Sequence, residues 1–441
     1  MNIVLFRNNL RTHDNICIKK AEKEGEWAGL FVFDERLWGT WLGVERSTSR
    51  RRKWLYKAVK ALKQKIEQNG GTLHVVKGSV VEETLNLAKE LEASNVFTPR
   101  LTGTEENDAI KTQKKHITVT ETYDQWLWNP LDNDISFQNA PHVFGQFRKK
   151  VEKTSYVRKP VSMPISFSGK GKGKFPSADE IIGKEVDVDN RTSIPFEPSE
   201  QAGLEWMKTY MWDKKLPKKY KYTRNRLGGK EFSTKFSIWL AHGAISPRRI
   251  YKEISEFEEK HGSSKSTYWI KFELTWRDFF KYQAMKHKEK LFSAQGFQGK
   301  HVPWEQDHAL IKRFLEGKTG YPLVDAGMRE LRATGWMSNR VRQNVASFFA
   351  KNLLQDWRIG AAIFEKYLLD YDVASNYGNW QYVAGVGNDT YNFRYFNVIK
   401  QAKKYDAGDY IRKWVPELED VANPITVSQN QTLVENEYPE P

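Results

Sequence analysis

Short apolar runs alternate with helix-like segments in the first part of the chain, and this alternation restricts the folds open to it. The runs are four or five residues long and occupy residues 2–6, 30–33, 72–76, 95–98 and 117–120. Strands separated by helices pair in parallel, because each crossover helix returns the chain to the end of the sheet at which the previous strand began. The sequence therefore predicts an α/β, doubly wound parallel-sheet domain over residues 1–124.

The first predicted strand is not followed by the glycine fingerprint GxGxxG. Asn8, Asn9 and Arg11 stand there instead, so a standard dinucleotide site is not expected in this domain. Residues 49–68 have apolar positions at helical spacing and Arg or Lys on the outer positions, which predicts a crossover helix with a basic face.

Residues 125–198 show little periodicity and are rich in Pro, Gly, Ser and Lys, which predicts an interdomain linker. From residue 199 to residue 441 the pattern is helical. Ser246 followed by Pro247, and Ser338 before an apolar-periodic stretch, are typical of helix N-termini. We therefore predict an all-helical C-terminal domain over residues 199–441.

Charge and composition limit the classes of function. A net charge of +15 favours a polyanionic partner, with nucleic acid as the first candidate. Aromatic residues make up 13% of the chain, including 16 Trp, which indicates stacking or electron transfer or, alternatively, only a Trp-rich core. The single cysteine excludes a disulfide framework or a cysteine-held metal cluster. Since neither a signal peptide nor a bilayer-spanning run is present, we expect a cytoplasmic protein without a membrane partner.

Residues 356–380 contain acids and tryptophans within a stretch whose apolar spacing otherwise predicts a buried helix. Asp356 resembles an N-cap, and Asp370 and Asp372 follow at the end of the helix it would start. We expect a helix break there, with Asp372 capping a second short helix through Asn376. The two acids would then form a polar notch in a buried place. This stretch alone, however, favours the alternative that both acids are ordinary caps and that Trp357 and Trp380 are ordinary core.

Two further stretches carry candidate binding residues. Ser233 and Thr234 would lie at the start of a helix, where free N–H groups and the helix dipole favour a phosphate, but Ser and Thr begin many helices. In residues 272–280, Glu273, Trp276 and Arg277 share one helix face. Such a face is costly to bury unless a ligand or partner satisfies it, and its alternative is a solvated salt-bridge face.

The order of motifs along the chain resembles the DNA photolyase and cryptochrome family. The motifs are RNNLRTHDN, STKFS, ELTWRDF, EGKTGYPLVDAGMR, TGWMSNRVR, DWR and NYGNWQYVAGVGNDTYNFRYFN, and they span nearly the whole chain. Within this family, YKYTRN, GNWQYVAGVGND and QAKKYDAGDYIRKWVPEL are most like the DASH cryptochrome branch. The resemblance implies that the helical domain binds one FAD and performs the light-driven chemistry.

The resemblance also implies roles for individual residues around FAD. Arg342 would pair with Asp370, while Asp370 and Asp372 would face the flavin and adenosine portions. Asn376 would lie opposite flavin N5, where an amide can stabilise reduced flavin without adding negative charge. The remaining FAD-binding residues would be Tyr220, Ser233, Thr234, Phe236 and Ser237 at the phosphate end, with Arg277 nearby. Electrons would reach the flavin through Trp304, Trp357 and Trp380.

The same resemblance implies a pocket for a cyclobutane pyrimidine dimer lined by Glu273, Trp276 and Asn339. Tyr382 stands where duplex-repair enzymes have a second tryptophan, and Gln343 stands where they have methionine. Both differences are typical of the DASH branch. The histidine pair expected of a six-four photolyase would fall at Asn339 and Gln343, so that chemistry is disfavoured.

An antenna chromophore is also implied, in the N-terminal domain. Glu106, Asn107 and Asp108 match the region that binds a folate, 5,10-methenyltetrahydrofolate, in the family. An acid cluster at the start of a helix is the alternative interpretation of these three residues. No metal site is expected.

Three functional hypotheses remain open. The first is a deoxyribodipyrimidine photolyase-type lyase, in which reduced FAD excited by blue light passes an electron to the dimer, chiefly in single-stranded DNA, and the electron returns. The second is a cryptochrome photoreceptor that binds nucleic acid without significant repair, and the third is a nucleic-acid-binding protein that only retains FAD. Signalling cryptochromes commonly carry long C-terminal extensions, whereas this sequence ends soon after VPEL, so we expect the enzyme. It would act as a monomer, with RNA as a further candidate partner.

Overall fold

A five-stranded parallel sheet forms the centre of the N-terminal domain, and helices form the rest of the chain. The computed structural model describes residues 1–164, 167, 169, 173–184, 186–391, 395–405 and 407–427. The strands of the sheet are β1 (Asn2–Phe6), β2 (Trp27–Asp34), β5 (Leu73–Gly78), β6 (Asn95–Pro99) and β7 (Thr118–Thr122), and β3 (Thr40–Trp41) pairs separately with β4 (Val44–Glu45). The predicted fold class is confirmed.

The strand order is β5-β2-β1-β6-β7, so the chain first builds outward from β1 in one direction and then in the other. All residues of β1 are buried, because it pairs on both sides and is covered on both faces. The covering helices are α1 (Ile16–Glu24), α2 (Ser49–Gln68), α3 (Val80–Glu90) and α4 (Thr104–Gln113). The order reverses between β1 and β6, and the carboxyl ends of these strands border a crevice of the kind that binds ligands in such sheets.

The helical part begins before the end of the stretch predicted as a linker. Its elements are α5 (Phe144–Thr154), α6 (Ala178–Ile182), α7 (Glu200–Lys208), α8 (Tyr220–Thr223), α9 (Ser237–Leu240), α10 (Pro247–His261), α11 (Lys265–His287), α12 (His308–Glu316), α13 (Pro322–Thr334), α14 (Asn339–Ser347), α15 (Trp357–Tyr367), α16 (Val373–Ala384), α17 (Val398–Lys404) and α18 (Gly408–Trp414). Both predicted N-caps are confirmed: the hydroxyl of Ser246 accepts the N–H of Arg248, and that of Ser338 accepts the N–H of Val341.

Helix α5 shows that residues 125–198 contribute to the core. Phe144, Phe147 and Val151 recur at helical spacing, are buried, and belong to the apolar core of the helical part. The Pro-, Gly- and Ser-rich composition around α5 obscures this short apolar face in the sequence. The division at residues 124 and 198 stays a prediction.

Two glycines allow the central helices to pack closely. A Cβ at Gly378 of α16 would lie 2.3 Å from the ring of Phe280 on α11, and a Cβ at Gly360 of α15 would lie 2.3 Å from the ring of Trp380. Any larger residue would therefore force the helices apart. Helix α16 is held between α11 and α15 by these contacts.

Four buried charges join the two domains. Arg248, from the first turn of α10, lies 2.9 Å from Asp14 in the loop after β1, and Arg11 lies 3.7 Å from Asp124, which follows β7. The exposed fraction of each of these four side chains is 2% or less. Arg11 also donates to the carbonyl of Gly243 at 2.9 Å, and Asp124 accepts the N–H of Ile16 at 2.6 Å. We call Arg11, Asp14, Asp124 and Arg248 the interdomain charge cluster.

Within the described part of the chain, no helix is both long and apolar enough to cross a bilayer. The same residues contain no group of three or more His, Cys, Asp or Glu side chains that could hold a metal ion. Cys17 lies in the first turn of α1 and is buried, and burial raises the pKa of its thiol well above the ordinary value.

We predict that Asp14→Ala lowers the free energy of unfolding by about 3–5 kcal/mol, because Arg248 would keep its buried charge without this partner. Asp108→Ala removes an exposed surface pair with Lys111 and should change that free energy by less than about 1 kcal/mol. Urea unfolding followed by circular dichroism measures both. Equal effects of the two substitutions would contradict a structural role for the interdomain charge cluster.

Candidate active site

The predicted break between two helices lies at residues 368–372. Asp356 caps α15, since its carboxylate accepts the N–H of Arg358 at 3.0 Å, and Asp372 caps α16 by accepting the N–H of Ser375 at 2.8 Å. Both predicted caps are confirmed. Helix α16 is longer than predicted, since it continues beyond Asn376 to Ala384. Its later residues pack against α11 and α15, and that packing extends the helix.

Asp370 is the most constrained acid of this break. Its Oδ2 accepts hydrogen bonds from the hydroxyl of Ser237 at 2.7 Å and from the guanidinium of Arg342 at 2.9 Å. The Nε of Arg342 donates to the carbonyl of Met337 at 2.9 Å, which fixes the direction of the guanidinium. The Oδ1 of Asp370 is buried and has no hydrogen-bond partner among the described residues. A buried carboxylate oxygen without a donor is costly, so the geometry favours a donor supplied by a ligand.

The predicted helix start at Ser233 and Thr234 is wrong. Helix α9 begins at Ser237, and the residues before it form a turn in which Lys235 has a φ of 57°, the left-handed region. A residue in that conformation cannot continue a right-handed helix. The turn leaves Ser233 and Thr234 partly exposed and Phe236 buried.

Lys235 lies within the predicted phosphate-end motif but was not singled out from the sequence. Its side chain is buried, its ammonium lies 3.9 Å from the ring centroid of Trp336, and burial lowers its pKa to about 7. Glu330 is close enough for its charge to act on Lys235, and burial raises its pKa to about 7, although the hydroxyl of Tyr410 donates to it at 2.6 Å. No sequence pattern links these residues, because they come from separate elements.

Arg277 bridges Gln125 and the last residue of α9, the helix that begins at Ser237. It donates to the carbonyl of Gln125 at 2.7 Å and to that of Leu240 at 3.0 Å. Burial alone would raise the pKa of Asp372, but the positive charges of Arg277 and Lys281 and the bonds from Ser375 outweigh it and lower that pKa. Asp372 therefore stays ionised near two cations.

The three predicted tryptophans of the helical part differ in burial and in hydrogen bonding. Trp380 is 2% exposed and packs edge-on against Phe364 at 4.9 Å, and its indole N–H has no partner among the described residues. The N–H groups of Trp357 and Trp304 both donate to the carbonyl of Ala294 at 3.1 Å, so their nitrogens are at most about 6 Å apart. Trp357 is buried and Trp304 is partly exposed.

Asn376 shares a face of α16 with Trp380, four residues later. Its side-chain amide donates to the carbonyl of Ala361 at 3.0 Å and is 8% exposed. The bond fixes which end of the amide points toward α15. The side chain is thereby held in one orientation beside the break that contains Asp370 and Asp372.

An aromatic corner lies between α11 and α16. The rings of Trp276 and Phe144 stack with their centroids 3.7 Å apart, and Tyr382 meets Trp276 nearly perpendicularly at 6.0 Å. Glu273, one turn before Trp276, accepts the guanidinium of Arg224 at 2.5 Å, and burial raises its pKa against the lowering effect of that charge. Phe144 was missed from the sequence, because it lies in the stretch predicted as a linker.

The remaining predicted pocket residues lie on neighbouring elements. Asn339 is exposed at the start of α14, and Gln343 follows one turn later with a buried Oε1 that has no hydrogen-bond partner among the described residues. Helix α14 packs against α16, which carries Tyr382. Tyr220 is 7% exposed, and the charge of Glu273 reaches its hydroxyl, so it lies toward this pocket.

A cavity of about 260 Å³ lies at the crevice between β1 and β6 and is lined on its other side by the helical part. Among its lining residues are Arg7 and Asn8 after β1, Arg100 and Leu101 after β6, and Asp372. Glu106 lines it too, and burial raises the pKa of Glu106 although Arg7 and Arg36 act to lower it. One of the three predicted antenna residues thus lines this cavity, which we call the interdomain cavity.

The other two antenna residues do not line the interdomain cavity. The amide of Asn107 donates to the carbonyl of Gly103 at 2.7 Å, within the first turn of α4. Asp108 is exposed and pairs with Lys111 at 2.6 Å. Successive residues of a helix point in different directions, so a run of three acidic or amide residues cannot all face one cavity.

These residues fit a bound FAD. The buried oxygen of Asp370 lacks a donor among the described residues, Arg342 is oriented toward the same place, and the turn before α9 presents hydroxyls next to a buried ammonium. Such a set suits a ligand that carries both hydrogen-bond donors and phosphates.

Comparison with known proteins agrees with this chemistry. The model of the FAD binding domain of DNA photolyase matches residues 269–441, and the DNA photolyase model matches residues 2–164. A cryptochrome DASH from Synechocystis sp. is 40% identical over 430 residues, covering 95% of this chain and 88% of the relative.

Two solved structures have the same fold over nearly the whole chain. A crystal structure of a Synechocystis cryptochrome has a TM-score of 0.92 and 38% identity, covering 97% of this chain and 91% of that one. A bacterial class III photolyase from Agrobacterium tumefaciens has a TM-score of 0.83 and 29% identity, covering 97% and 89%.

We predict that Asp370→Ala removes most of the bound FAD, because Arg342 would lose its carboxylate partner, at a cost of about 3 kcal/mol. The ratio of flavin to protein absorbance after gel filtration measures this. Asp409→Ala, which removes a fully exposed carboxylate, is the matched control and should keep its FAD. Full flavin occupancy in the Asp370 variant would mean that FAD is held elsewhere.

Proposed function

The chain belongs to the DNA photolyase and cryptochrome family, and from this premise we propose that it repairs cyclobutane pyrimidine dimers under blue light, preferentially in single-stranded DNA. The observation that supports the proposal most is the aromatic corner of Trp276 and Tyr382 beside the helix that carries Asn376. An aromatic corner can receive stacked bases, and Tyr382 shares α16 with Asn376, which suits a reaction driven by the flavin.

Several residues would hold FAD in this function. Asp370, Arg342 and Ser237 form the hydrogen-bonded centre of the site, Asp372 keeps its negative charge near Arg277, and Ser233, Thr234 and Phe236 belong to the turn before α9. Bound FAD would supply light absorption and one-electron chemistry. The protein supplies orientation and charge.

Asn376 and the tryptophans have separate tasks in the proposed reaction. The fixed amide of Asn376 would present a neutral dipole, so that it favours reduced flavin without adding charge. Trp380, Trp357 and Trp304 would carry oxidising equivalents outward, because indole is oxidisable and packs well in a core. Gln343, Asn339 and Glu273 would contact the damaged bases through polar atoms.

The interdomain cavity is the proposed site of an antenna chromophore. It lies at the crevice of the sheet, where such folds bind ligands, and the buried Glu106 gives it a hydrogen-bonding group. We propose a folate, 5,10-methenyltetrahydrofolate, as its occupant. Absorbance of the purified protein near the folate band, and its loss in Glu106→Gln, would support this.

We predict that Trp380→Phe abolishes or greatly slows photoreduction of the flavin while FAD stays bound, since phenylalanine packs similarly but is far harder to oxidise. Trp357→Phe and Trp304→Phe should slow it less completely. Flavin absorbance is followed under blue light with an external reductant. Trp27→Phe, a buried change in β2, is the control and should leave the rate unchanged. Normal photoreduction in Trp380→Phe would show that electrons take another route.

We further predict efficient repair of a dimer in single-stranded DNA and poor repair in duplex DNA. Extracting a dimer from a duplex costs a few kcal/mol, whereas stacking returns about 1–3 kcal/mol per base. Tyr382 offers less stacking surface than indole, and the Oε1 of Gln343, unpartnered among the described residues, makes the pocket more polar. The stabilisation available to a flipped dimer is therefore close to the cost of flipping it.

Repair rates on one dimer in matched single-stranded and paired oligonucleotides, at subsaturating DNA, test this account. The Tyr382→Trp, Gln343→Met double variant should gain duplex activity relative to the parent. Equal parent rates on the two substrates would refute the proposed substrate preference. Flavin photoreduction without repair of either substrate would favour the photoreceptor alternative.

A further inference from the structure

A second cleft, with a volume of about 840 Å³, opens at the N-terminal end of α2, between the N-terminal domain and the ends of α13 and α18. It shares Leu37, Ser47 and Arg52 with the interdomain cavity, and it contains none of the residues assigned to FAD or to the DNA lesion. Five guanidinium groups from three separate parts of the chain line it. We call it the arginine cleft, after Arg50, Arg52, Arg191, Arg329 and Arg332.

The charge of the arginine cleft is poorly balanced. Glu45 is the only acidic residue among its described lining residues, and it is 68% exposed and already pairs with Lys366 at 2.8 Å. Arg191 pairs with Asp189 at 2.7 Å and Arg329 with Glu417 at 2.6 Å, so the surplus of positive charge comes from the other three arginines.

Backbone carbonyls, rather than carboxylates, hold Arg50 and Arg52. Arg50 donates to the carbonyl of Arg332 at 2.6 Å and to that of Asp187 at 3.2 Å. Arg52 donates to the carbonyls of Ser47 at 2.9 Å and Ile181 at 3.0 Å. A carbonyl satisfies the N–H groups of a guanidinium but leaves its full charge in place. Burial lowers the pKa of Arg50, which is the sign of a charge held partly away from water.

The first turn of α2 adds to this imbalance. Helices favour acidic residues at their N-terminus, where the macrodipole is positive, and a basic residue placed there is unfavourable. The first turn of α2 contains no acid, and Arg50, Arg51 and Arg52 follow Ser49 directly. The contacts of Arg50 compensate this cost only in part, because its Nε is buried without a hydrogen-bond partner among the described residues. A bound anion would relieve the cost.

We propose that the arginine cleft binds a small oligophosphate ligand, such as the phosphate chain of a free nucleotide. Guanidinium groups match phosphate oxygens in geometry and charge, and several guanidiniums converging from different elements suit several linked phosphates rather than one. Arg50 and Arg332 would contact the phosphates. Arg52 would contribute its charge only, because its Nε, Nη1 and Nη2 already donate to Ile181, Ser47, Ser49 and Ile182. Arg191, held over the ring of Trp414 at 4.3 Å, lies at the rim.

Calorimetric titration of the FAD-loaded protein with tripolyphosphate, at about 0.15 M salt and without divalent ions, tests the proposal. One equivalent should bind, and Arg332→Glu should weaken binding by about tenfold or more. Arg332 is exposed, and the one side-chain hydrogen bond it makes with the described residues is a 3.5 Å contact with the carbonyl of Glu316, so its replacement should change the melting temperature little. Arg332→Gln, expected to weaken binding to a smaller extent, repeats the test without charge reversal.

Lys115→Glu is the charge-matched control, because it changes an exposed lysine of the N-terminal domain outside the cleft. It should bind tripolyphosphate like the parent. No binding by the parent, or equal weakening by Arg332→Glu and Lys115→Glu, would overturn the proposal. Competition with a fluorescent single-stranded oligonucleotide separates the two sources of phosphate: if Arg332→Glu weakens the oligonucleotide and not tripolyphosphate, the cleft follows a nucleic-acid backbone and the proposal fails.

Discussion

The interdomain charge cluster positions much of the candidate site, although none of its members lies in that site. Asp124 is held by Arg11 and by the first N–H groups of α1, and the next residue along the chain is Gln125. Gln125 accepts hydrogen bonds from Arg277 and Lys281, the two cations that keep Asp372 ionised. A cluster that joins the domains therefore also sets the charge of the helix break.

Close packing of the central helices positions the residues of the candidate site on α16. Gly378 and Gly360 allow α16 to lie close to α11 and α15, and α16 carries Asn376, Trp380 and Tyr382. One helix can then carry residues proposed for flavin binding, for electron transfer and for the aromatic corner, because neighbouring helices pack closely against more than one of its faces. Its start is fixed by the cap at Asp372.

Local signals made the fold and the helix break predictable from the sequence. Apolar periodicity located all five strands of the sheet, and cap residues located the starts of α10, α14, α15 and α16. Contacts between distant segments were not predictable by the same means. Phe144 stacks on Trp276 from a stretch without clear periodicity, the charge of Glu330 acts on Lys235 from a separate element, and the turn before α9 depends on one left-handed residue. The roles of the site residues came from resemblance, and they stay predictions.

The carbonyl of Ala294 accepts both Trp357 and Trp304, whereas the indole N–H of Trp380 has no acceptor among the described residues. A carbonyl oxygen carries partial negative charge, which stabilises a positive charge on a neighbouring ring. The two outer indoles are thus easier to oxidise than the inner one on this account. Under the proposed function, the positive charge formed when Trp380 is oxidised would move to Trp357 and Trp304, where its free energy is lower. The carbonyl oxygen of Ala294 would thereby oppose return of the charge to Trp380.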